Sequence, residues 1–81
     1  MIEFSVSLSS IEDVRQFVNA ASYCPCEVDV CSGRYVIDAK SIMGLFSLDL
    51  SKPVRVEVHG TDEEGNQFRQ SVAAFETQNK P

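Results

Sequence analysis

The stretch "DAKSIMGLFSLDL", Asp38 to Leu50, holds a basic residue and a serine, then two apolar clusters separated by Gly44. A serine followed by Ile42, Met43, Leu45 and Phe46 fits the start of a short helix, with Ser41 as its N-cap. The apolar side of this helix is unusually bulky for its length. Ile42 and Leu45 are expected to tuck into a core. Met43 and Phe46 are expected to stay exposed, and contiguous exposed apolar residues are a signal of a protein partner.

Downstream, "KPVRVEVHG" alternates Val54, Val56 and Val58 with Arg55, Glu57 and His59, the clearest half-buried strand in the chain. Thr61-Asp62-Glu63-Glu64 then opens a helix, because Thr61 can cap it and Glu64 can reach back. Phe68, Val72 and Phe75 supply its buried stripe, Gly65 weakens it by about 1 kcal/mol relative to Ala, and the tail "ETQNKP" is expected to fray. Upstream, "EVDVCSGRYVIDA" reads as two strands around Ser32-Gly33, with Val28 and Val30 on one arm and Tyr35, Ile37 and Ala39 alternating on the other.

At the start of the chain, "IEFSVSL" places Ile2, Phe4, Val6 and Leu8 on one strand face and Glu3, Ser5 and Ser7 on the other. In "SSIEDVRQFVNAAS" two serines each have an acid three residues on, Ser9 with Glu12 and Ser10 with Asp13, and so offer two N-caps for a helix. Ile11, Val14, Phe17, Val18 and Ala21 form its core-facing stripe.

The order is strand, helix, two strands, short helix, strand, helix. It predicts one α+β domain over residues 1–81, with an antiparallel sheet covered by helices on one face. The expected core is Phe4, Val6, Val14, Phe17, Val18, Val28, Val30, Ile37, Val56, Val58, Phe68 and Val72. The other sheet face would carry Glu3, Ser5, Ser7, Asp29, Arg55, Glu57 and His59 to solvent.

Composition narrows the function classes. With a net charge of -5, the chain is a poor match for a nucleic acid backbone, which needs clustered Lys and Arg. The apolar runs are far too short to span a membrane, and the N-terminus does not read as a signal peptide, so a cytoplasmic location is expected. Cys24, Cys26 and Cys31 are odd in number and closely spaced, which fits a reduced compartment better than a disulfide framework. Cys24-Pro25-Cys26 with one further Cys and a distant His59 lacks a four-ligand spacing, so neither a metal nor a cofactor is expected. No acid/base pair, metal cluster or glycine-rich phosphate loop marks an enzyme. Exposed strand edges leave the choice between a monomer and a weak dimer open.

The element order and three stretches, "AKSIMGLFSL", "GTDEE" and "FVNAAS", together resemble the HPr phosphocarriers of the bacterial phosphotransferase system. The resemblance implies an open-faced βαββαβα sandwich, with a four-stranded antiparallel sheet and three helices on one face. It places the family's regulatory phosphorylation site at Ser41 and the partner-docking residues at Ile42, Met43 and Phe46. The family's phosphate-carrying histidine lies at the start of the first helix, in a G-x-H-A-R-P run. Counting back from "FVNAAS" puts Ser10 at the histidine, Ile11 at the alanine, Glu12 at the arginine and Asp13 at the proline. The chemically active positions have all changed.

Two functions compete. The first is an HPr-like domain that has lost phosphoryl transfer and binds a protein partner, either a phosphotransferase-system component or a regulator. The second is a carrier in sugar transport whose phospho-acceptor has moved, with His59, the chain's single histidine, or a cysteine as the acceptor.

Overall fold

The computed structural model describes residues 1–77. Strand β1 (Ile2–Val6) leads into α1 (Ile11–Tyr23), followed by β2 (Glu27–Ser32), β3 (Tyr35–Asp38), α2 (Ile42–Phe46), β4 (Val54–His59), α3 (Asp62–Ser71) and a 3-10 turn (Ala73–Phe75). A two-residue strand, β5 (Glu76–Thr77), closes the order. The sheet is antiparallel with spatial order β3-β2-β4-β1-β5.

Alternation decides which face is covered. Phe4, Val6, Val28, Val30, Val56 and Val58 point under the helices and are buried, as are Val14, Phe17, Leu45, Phe68 and Val72 above them. Phe17 and Phe68 meet edge to face at 5.6 Å between ring centroids, tying α1 to α3. The β2–β3 hairpin turns at Gly33 (φ 59°), with Ser32 opposite Tyr35. A positive φ at the first of two loop residues alone is the type II′ pattern, which suits glycine there.

Several expectations are corrected. The sheet has five strands, not four, because Glu76–Thr77 do not fray: they pair with Ser5 and Val6. Arg69 donates to both carboxylate oxygens of Glu76, at 2.9 and 2.7 Å, and anchors that edge to α3. The rest of the expected frayed tail, residues 78–81, lies outside the described residues. Helix α3 ends at Ser71 and does not continue to Phe75, since the backbone leaves the helical region at Val72.

The core also differs at its rim. Val18 and Ile37 are half-buried at its edge, and Ile11, the first residue of α1, is 70% exposed. Tyr35 is likewise exposed, whereas Leu8, Ala39 and Val54 join the core. Among the described residues, no helix is long and apolar enough to cross a membrane.

Candidate functional site

The start of α1 is built from its own polar side chains. Ser10 is the N-cap, its Oγ accepting from the Asp13 backbone N–H at 3.1 Å. Asp13 reaches back one residue further, its Oδ2 accepting from the Ser9 backbone N–H at 3.1 Å and from the Ser9 hydroxyl at 3.0 Å. These bonds, the Ser9 backbone N–H foremost, hold the Asp13 carboxyl below the ordinary carboxylate range. Glu12 faces outward and takes Arg15 Nη1 at 3.3 Å. The positive end of α1 therefore already holds anionic groups belonging to the chain.

Helix α2 starts at Ser41, an exposed N-cap whose Oγ accepts from the Gly44 N–H at 3.2 Å. Leu45 is fully buried, Ile42 half-buried, Met43 76% exposed and Phe46 41% exposed. Two of the three docking candidates thus face solvent, and Ile42 only in part. A shallow groove joins Ser10 and Ile11 to Phe46, Leu50 and Ser51, and a neighbouring one places Glu12 and Arg15 near Ile42. The structure so brings Ser10, Phe46 and the misassigned Ile11 onto one surface. Leu50 was not legible as part of it, because its side chain reaches this groove only through the loop after α2.

The remaining histidine and cysteines lie elsewhere. His59 sits at the end of β4 on the open sheet face, where Nε2 is 3.0 Å from Asp29 Oδ2 and 3.5 Å from Glu57 Oε1. The Sγ atoms of Cys24 and Cys26 lie 3.0 Å apart at the end of α1. Burial, followed by the Cys24 contact, pushes the Cys26 thiol up to about 11, so it is protonated near neutrality. Cys31, buried on the otherwise open face, is pushed up by burial too.

Residues 13–77 match the family model described as "PTS HPr component phosphorylation site". The match starts three residues after Ser10. No curated protein matches the sequence. The fold is shared with HPr-C-His from Thermoanaerobacter tengcongensis, at 23% identity, TM-score 0.76, and coverage of 91% of this chain and 89% of that one. It is also similar to the histidine-containing phosphocarrier protein of Mycoplasma (15% identity, TM-score 0.72, 90% and 89% covered). A third similar structure is the phosphocarrier protein HPr from Bacillus anthracis (20% identity, TM-score 0.70, 94% and 96% covered). With its open-faced sandwich, its capped α2 and a family match over most of its length, the chain belongs to the HPr family of the phosphotransferase system.

Proposed function

We propose that this HPr-family domain no longer carries phosphate and acts by docking a protein partner, a phosphotransferase-system component or a regulator, through the surface between α1 and α2. The start of α1 carries this reading. A relay needs a nucleophile whose phosphoryl bond is labile, such as an imidazole, and a cation beside it. Ser10 offers a hydroxyl committed to capping, Glu12 is negative, and the Asp13 carboxylate occupies Ser9 where an incoming anion would be repelled. Exposed Ile11, Met43 and Phe46 supply apolar contact for a partner. Exposed Ser41, at the start of α2, is the regulatory phosphorylation position on this reading.

Incubated with phosphoenolpyruvate and Enzyme I, the protein should gain no acid-labile phosphate under conditions that label a histidine-bearing HPr. Ser10→His with Glu12→Arg should restore slow labelling. Labelling of the unmodified chain that disappears in His59→Ala would replace this proposal with a carrier whose acceptor had moved. Parallel incubation with HPr kinase and ATP should add one phosphate at Ser41, read by mass spectrometry; an unmodified Ser41 removes the regulatory part alone.

A further inference from the structure

The open sheet face, turned away from the helices, gathers donors from strands far apart in sequence. Asp29 on β2 stands directly opposite Glu57 on β4, and His59 follows Glu57 by two residues on the same face. One ligand atom from each of Asp29, Glu57 and His59 lies within 4.8 Å of the other two. The closest pair is His59 Nε2 and Asp29 Oδ2 at 3.0 Å, with Glu57 Oε1 3.5 Å from the same nitrogen. Four-coordinate Zn²⁺ with bonds of about 2.0–2.2 Å separates its ligand atoms by roughly 3.4 Å. Two of these spacings are thus already near that value, and a small side-chain rotation supplies the third.

The sheet register gives an independent reason for a cation here. Glu3 pairs with Glu57, Glu57 with Asp29, and Asp29 with Asp38, so four carboxylates cross the sheet in one row. Like charges directly opposite on neighbouring strands destabilise a sheet, and this row places three such pairs side by side. Arg55 offsets part of it, its Nη2 holding Glu57 Oε2 at 2.8 Å. That contact also splits the work of the carboxylate: Oε2 is fixed by Arg55 while Oε1 is left facing His59. An outer partner of this kind fixes the orientation of a ligating carboxylate.

We propose that Asp29, Glu57 and His59 form a binding site for a divalent first-row transition cation, with Zn²⁺ as the defining case and Arg55 positioning Glu57. An imidazole nitrogen with two carboxylate oxygens favours such an ion over Mg²⁺ or Ca²⁺, which take oxygen ligands. Three protein ligands on a half-exposed face leave a coordination position open to water or to another molecule. The site is separate from the α1–α2 surface and does not depend on the docking proposal. It departs from the expectation of no metal, which rested on the cysteine spacing and on His59 standing alone in sequence.

The test is a Zn²⁺ titration of the full chain followed by amide and imidazole NMR. One equivalent should shift His59, Glu57 and Asp29 most. His59→Ala and Asp29→Asn should each weaken binding by at least about tenfold. Both side chains are partly exposed on the open sheet face, so both variants should fold. Asp29→Asn should melt no lower than the parent without metal, because it removes two like-charge pairs, with Glu57 and with Asp38, yet it should lose the Zn²⁺-induced rise in Tm. Shifts centred on Cys24 and Cys26, affinity unchanged in His59→Ala, or no saturable binding would each overturn the proposal.

Discussion

At Asp13 a single carboxylate closes the start of α1, accepting from both the backbone N–H and the hydroxyl of Ser9. Its folded pKa is depressed below the ordinary 3.8, chiefly by the Ser9 backbone N–H. A depressed carboxyl stabilises the fold at pH values above its unfolded pKa, and that contribution disappears as pH falls through the folded value. Asp13→Asn should therefore lower Tm near neutrality, and the difference from the parent should shrink to nothing under strongly acidic conditions. A thermal melt series against pH checks this. Ser10→Ala, which removes the cap itself, should cost about 0.5–2 kcal/mol, with little dependence on pH.

Among the elements, α3 shows where local propensity misleads. Gly65 reads as a weak point in a helix, yet a Cβ there would stand 2.8 Å from Ile2 Cβ. The glycine lets α3 lie directly on β1. Gly65→Ala should consequently destabilise the protein, against the roughly 1 kcal/mol gain expected from propensity alone. Ile2→Ala in the same chain should recover part of the loss, as measured by denaturant unfolding; stabilisation by Gly65→Ala alone would refute the close packing.

The same contrast explains what was legible. The Thr61–Glu64 capping box is present in both directions, and β4 alternates as read, because caps and strand alternation act between residues close in sequence. Ser41 as an N-cap and the division of α2 into buried Leu45 and exposed Met43 were legible for the same reason. The pairing of Glu76–Thr77 with β1, the exposure of Ile11 and the meeting of Asp29 with His59 depend on partners brought together only by the fold. Nothing within a short window of sequence encodes them.

Across the whole molecule, one core is shared by every layer, so the sheet and its helices should unfold together. Phe17 and Phe68 are both buried in that core and in ring contact with each other. The placement of β4 has a further consequence for a chain being made from its N-terminus. It is the middle strand, pairing with β1 on one side and β2 on the other. Until residue 54 leaves the ribosome, β1 and the β2–β3 hairpin have nothing to join them, and an isolated hairpin is marginal in water. A fragment of residues 1–53 should accordingly show no cooperative melt by circular dichroism; a sharp transition in it would contradict this. A growing chain therefore carries β1 and the β2–β3 hairpin without the strand they share until β4 has emerged, and their edges stay open to other partners, chaperones included, until then.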